Sequence, residues 1–127
     1  MRKTMKQIAE DREREDRIIN EIIVDAYGEE EHAMGWYYYL QDTISWPFKA
    51  ECVIKINSSP LEPGEKVSVK KLASEDDCMR DVYVMISWNS RNLAVPLSQL
   101  SPYDTDDDDT IQAVEDWCYW CQRGYQF

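Results

Sequence analysis

The residues best suited to chemistry in this 127-residue chain form one acidic run. Asp104, Asp106, Asp108, Thr110, Gln112 and Glu115 fall at positions 1, 3, 5, 7, 9 and 12 of the calcium-loop template, and Ile111 occupies position 8, where an apolar residue suits the loop. Calcium is a hard cation that takes about six to eight oxygen ligands, and carboxylates at alternate positions supply them. Two features depart from the template. Position 6 is Asp109 where a glycine makes the sharp turn, and the preceding pattern is a strand, not a helix. An ordinary helix N-terminus accounts for the same residues: Asp109 would be the N-cap, Gln112 its capping-box partner, and Asp107 and Asp108 favourable neighbours of the helix dipole. Five aspartates in six positions exceed what one cap requires, so neutralisation of this loop by a cation is expected beside the cap.

A second carboxylate stands out by its surroundings. The stretch Trp36-Tyr37-Tyr38-Tyr39-Leu40-Gln41-Asp42-Thr43-Ile44-Ser45-Trp46-Pro47-Phe48 holds six aromatic residues and a single acid, Asp42, which is either a cap or a ligand. Glu21 and Asp25 lie one helical turn apart, and Glu75-Asp76-Asp77 occupy a loop; a solvated helix face and a solvated turn explain them as well as an ion does.

Other chemistries find little support. His32 is the single histidine, with no nucleophile near it in sequence, and four glycines make no phosphate-binding loop. Enzyme activity is not expected. Cys118-x-x-Cys121 is half of a zinc motif, but it lies inside a helical pattern and Cys52 and Cys78 do not form a second pair, so all four cysteines read as small apolar residues. The net charge of −11 repels nucleic-acid phosphates and anionic membranes and attracts metal ions or basic proteins. No apolar run approaches the roughly 20 residues needed to cross a bilayer, and no secretory signal precedes Glu10. These features predict a cytoplasmic, monomeric protein.

Several elements must position these acids. Residues 1 to about 10 are expected to fray. From Asp11, the apolar positions Ile18, Ile19, Ile22, Ile23 and Ala26 predict a helix, with Arg14, Glu15, Arg17, Glu21 and Asp25 on its other face and Gly28 as its stop. Glu29-Glu30-Glu31 open a second helix that runs to about Gln41 or Asp42. Pro47 ends helical sequence. Phe48 to Ile56, Val67 to Val69, Val82 to Trp88 and Leu93 to Leu97 alternate as strands, joined by Asn57-Ser58-Ser59-Pro60, Pro63-Gly64 and Asn89-Ser90-Arg91-Asn92, and Pro96 marks an edge. Ile111, Val114, Trp117, Cys118 and Cys121 predict a last helix that Gly124 ends.

Ala33-Met34-Gly35-Trp36-Tyr37-Tyr38-Tyr39-Leu40-Gln41-Asp42, continuing into Trp46-Pro47-Phe48-Lys49-Ala50, resembles the cyanobacterial calcium-binding protein family associated with control of heterocyst differentiation. Ile22-Ile23-Val24-Asp25-Ala26-Tyr27, Ser59-Pro60-Leu61 with Gly64-Glu65, Leu93-Ala94-Val95-Pro96-Leu97 and Glu115-Asp116-Trp117-Cys118-Tyr119-Trp120 are similar to its pattern too. The resemblance implies a small acidic cytoplasmic protein that binds calcium as buffer or sensor without true EF-hands and has no enzyme activity. It makes Asp42 the foremost ligand.

The expectation is thus a single α+β domain over 1–127. Its helical part spans 11–42, a small SH3-like antiparallel barrel or meander spans 47–100, and a C-terminal helix spans 109–123. The expected function is Ca2+ binding through Asp42, Asp104, Asp106, Asp108 and Glu115. The alternative is an acidic interaction module whose barrel takes a basic protein partner and has no specific metal site.

Overall fold

The computed structural model describes residues 10–24 and 26–124. Helix α1 runs Arg12–Glu21 and is capped by Asp11, whose carboxylate accepts the Arg14 amide at 3.1 Å. It ends well before Gly28, where Ile22-Ile23-Val24 brings three successive β-branched side chains of poor helix propensity. Gly28 instead precedes α2, Glu29–Thr43, as its N-cap. The two helices meet closely: a Cβ on Gly35 of α2 would lie 2.6 Å from the Ile22 carbonyl oxygen. Only glycine fits there without a shift.

The faces of α1 depart from expectation. Ile18, Ile22 and Ile23 are buried, but Ile19 is 46% exposed. Arg14, Glu15 and Arg17, expected to face water, turn inward instead, because the last helix offers each an opposite charge or a hydrogen bond.

Five antiparallel strands follow: β1 Phe48–Cys52, β2 Lys66–Leu72, β3 Tyr83–Trp88, β4 Arg91–Pro96 and β5 Leu100–Pro102. Their order is β4-β3-β2-β1-β5. Asn89 and Ser90, with φ of 48° and 66°, make the tight left-handed turn between β3 and β4, the geometry that matches strand twist. Pro96 ends edge strand β4, where its missing N–H costs no ladder bond. The sheet is an open meander and not a closed barrel. After β4 a buried 3-10 turn, Leu97–Gln99, carries the chain across to the far edge, where the three residues of β5 pair with β1. Closure would have needed the two edge strands to pair with each other.

Helix α3, Asp108–Gln122, ends at Gly124, which takes φ of 85° and donates its amide to the Cys121 carbonyl at 2.9 Å. The inward side of the sheet, with Phe48, Ala50, Val69, Val84 and Ile86 buried, shares one apolar core with Leu40, Trp36 and Trp117. Trp36 and Trp117 are in edge-to-face contact at 5.0 Å between ring centroids. Because helical residues step by about 100°, the three consecutive tyrosines of α2 leave it in three directions. Tyr37 donates to the Ala73 carbonyl, Tyr38 to Glu75 and Tyr39 to Asp116. The aromatic stretch is therefore both core and fastening. Cys52, Cys78, Cys118 and Cys121 are free thiols, and burial pushes the Cys118 thiol up to about 12. Among the described residues, no helix is long and apolar enough to cross a membrane.

Candidate calcium site

Asp42 lies exposed in the last turn of α2, so it is neither an N-cap nor a core residue. Three residues on, Ser45 donates its amide to Thr110 Oγ1 at 2.9 Å. Thr110 is buried in the first turn of α3, and its hydroxyl donates to Asp107 Oδ2 at 2.9 Å. The Ser45 and Thr110 hydroxyls together hold the Asp107 carboxyl below the ordinary carboxylate range. A short hydrogen-bonded relay thus draws the end of α2 to the start of α3, and with it the Asp42 turn towards the acidic run.

Within that run the cap is Asp107, which accepts the Asp109 amide at 3.2 Å, and not Asp109 as the sequence suggested. Asp109 lies in the helix. The left-handed residue is Asp104, with φ of 52°, a conformation that aspartate tolerates better than most side chains. Its carboxylate is 3.3 Å from the Lys49 ammonium on β1. A cation therefore already faces this acid, and a metal ion there would compete with it. Asp106 is exposed in the loop, and Asp108 is the exposed first residue of α3.

An EF-type loop would place its helix near the template's end, but α3 starts at the residue that matches template position 5. That separates the acids. Glu115 is exposed on α3, seven residues and about 10 Å along the axis from Asp108, so the loop acids and Glu115 are not wrapped round one point. Among the described residues, no three His, Cys, Asp or Glu side chains are gathered as a metal ion would need. The donor set is nonetheless the hard carboxylate oxygen that calcium prefers, and loop carbonyls and water would have to complete its shell. Asp25, and with it the expected pairing with Glu21, lies outside the described residues. Asp76 and Asp77 sit in an exposed 3-10 turn, where Asp77 accepts the Ser74 hydroxyl.

Sequence reasoning missed Asp116. This fully buried carboxylate receives Arg17 through both terminal nitrogens at 2.9 and 2.6 Å, Arg14 at 3.2 Å and the Tyr39 hydroxyl at 3.1 Å. The pair holds the Arg17 guanidinium even more firmly protonated, and burial with the nearby Asp116 charge pushes the Tyr39 phenol up to about 12. Beside it Glu15 accepts from Tyr119 at 2.6 Å and from Arg123 at 3.1 Å. With all its acceptor capacity directed inward, Asp116 fastens three helices and is not a ligand. Two arginines three apart on α1 were the available signal, but only α3 shows what they meet.

These interactions leave charge unevenly spread. Segment 48–102 balances seven acids with seven bases, so the excess negative charge belongs to the helices and to the loop before α3. A field of one sign over that part of the surface concentrates cations there.

No curated protein matches the chain. Its structure is similar to the crystal structure of CcbP from Anabaena, at 41% identity and a TM-score of 0.82, covering 97% of this chain and 100% of that one. A calcium-binding protein in its calcium-binding form is similar at 41% identity and a TM-score of 0.80, covering 92% of this chain and 95% of that one. With residues 16–121 matched by the CcbP family, which is described as calcium binding, the chain belongs to that calcium-binding family.

Proposed function

We propose that this protein binds calcium at the acidic junction between the end of α2 and the loop into α3. Asp42 and the loop carboxylates of Asp104, Asp106 and Asp108 serve there, with Glu115 contributing to the field from further along the helix. One observation carries the location: the Ser45–Thr110–Asp107 relay, which links the Asp42 turn to the acidic run. Membership of a calcium-binding family supports the choice of ion. Binding would relieve repulsion among acids and add stability by linkage, as buffer or as sensor in the cytoplasm.

Calorimetric titration with calcium tests this reading. Binding that weakens about tenfold or more in Asp42→Asn or in Asp106→Asn with Asp108→Asn is the expected result. Absence of heat, together with an unchanged melting temperature in excess calcium over a chelated sample, refutes it. Near-UV circular dichroism separates the roles: a calcium-dependent change in the Trp36–Trp117 signal marks a sensor, and an unchanged spectrum marks a buffer.

A further inference from the structure

Three of the five exposed large apolar side chains among the described residues, Ile19, Val24 and Tyr27, fall within nine residues at the α1–α2 corner. Tyr27 is 86% exposed and Val24 55%. Exposed apolar side chains gathered beside polar ones are the pattern that contact sites present. Next to it is an open groove of about 610 Å³ with Val24, Ala26 and Met34 as its apolar lining and Glu29, Glu30 and Glu31 along one side. Hydrogen bonds hold the turn that borders the groove. His32 Nε2 lies 3.0 Å from the Ala26 carbonyl, an arrangement that makes this nitrogen the protonated donor, and the His32 amide donates to the Gly28 carbonyl at 2.9 Å.

Charge selects the occupant. Arg14 and Arg17 are drawn inward by Asp116, and Arg12 pairs with Glu10 at the far end of α1. What α1 shows to water at this corner is Asp16, Ile19 and Glu21, continuous in sequence with Val24, Tyr27 and the three exposed glutamates. None of those three glutamates has an ion pair among the described residues. We propose that this groove docks a basic, apolar segment of a partner protein, one apolar anchor entering between Val24 and Met34 while flanking Lys or Arg side chains meet Glu29, Glu30 and Glu31. The recognition mode is that of an amphipathic helix in a groove, with Met34 as an adaptable wall. It places the basic partner on the helices and not on the sheet, and it does not depend on calcium.

The test uses the full chain in chelator and a fluorescein-labelled Lys/Leu peptide with leucines at helical spacing, read by anisotropy. A second peptide carries serine for every leucine. Saturable binding of the leucine peptide, about tenfold weaker in Val24→Ser and in the Glu29→Gln, Glu30→Gln, Glu31→Gln variant, supports the proposal. Asp76→Asn with Asp77→Asn, acids of an unrelated loop, should stay within about twofold of the parent. Equal binding of the serine peptide, equal loss in the control variant, unaffected groove variants or no binding would each overturn it. So would sedimentation showing a dimer that Val24→Ser dissociates, because the occupant would then be a second copy. Matching near-UV spectra of the variants exclude misfolding as the cause of lost binding.

Discussion

The Ser45 amide donates to the buried Thr110 hydroxyl at 2.9 Å, and this bond ties the exit of α2 to the entry of α3. Sixty-five residues separate the pair in sequence.

Replacing Thr110 with valine keeps the shape and removes the relay. The Ser45 N–H loses its acceptor and Asp107 loses a donor, so a loss of about 1–3 kcal/mol is expected in urea denaturation at neutral pH. The pH profile adds a second readout. Asp107 titrates lower in the folded state than unfolded, so its contribution is complete above the ordinary value of 3.8 and is lost as pH falls through the lowered one. The parent should therefore lose stability faster than Thr110→Val as pH drops through that window, and parallel profiles would contradict the relay.

Lys49 is a resident cation at Asp104, and Lys49→Met removes the competitor. Calcium should then bind a few-fold more tightly, the scale of an exposed ion pair. Calorimetry showing unchanged or weaker affinity would take Asp104 out of the site.

Asp116→Asn leaves two arginines facing a neutral amide. Breaking a buried pair by removing one partner costs about 3–5 kcal/mol, and α1 should be the element that loosens. Urea midpoints measure the total, and amide exchange in α1 and α3 locates it. Loss of stability with protection in α1 unchanged would mean that Asp116 does not hold that helix.

At Gly35 two effects compete. Alanine favours helix by about 1 kcal/mol over glycine, but its Cβ would meet the Ile22 carbonyl oxygen at 2.6 Å. Backbone cannot yield as a flexible side chain does, so sterics win, and Gly35→Ala should cost about 1–3 kcal/mol of stability and lower the melting temperature despite its better propensity. A rise would show that the helices can part without cost.

Much of this fold was legible in the chain. Period-two alternation from Phe48, turn residues at Asn89-Ser90, and Pro96 at an edge follow from backbone sterics that act locally. The helix between Asp108 and Gln122 was legible for the same reason. The motif around Trp36 resembles the calcium-binding family in the sequence itself, and the family match over residues 16–121 bears that resemblance out. What local rules do not contain is partnership over long separations. Whether five strands close into a barrel depends on which edges meet, and the turn at Leu97–Gln99 sent β5 to β1 instead of β4. Whether Arg14 and Arg17 face water or Asp116 depends on a helix about a hundred residues away. Sequence alone determined the acidic charge of the chain and singled out Asp42 and the run from Asp104 as candidate oxygen ligands. Tertiary structure decided the rest, because the energy of a carboxylate depends on what surrounds it in space: it drew Asp107 into a relay, gave Asp104 to Lys49, and buried Asp116 as a fastening.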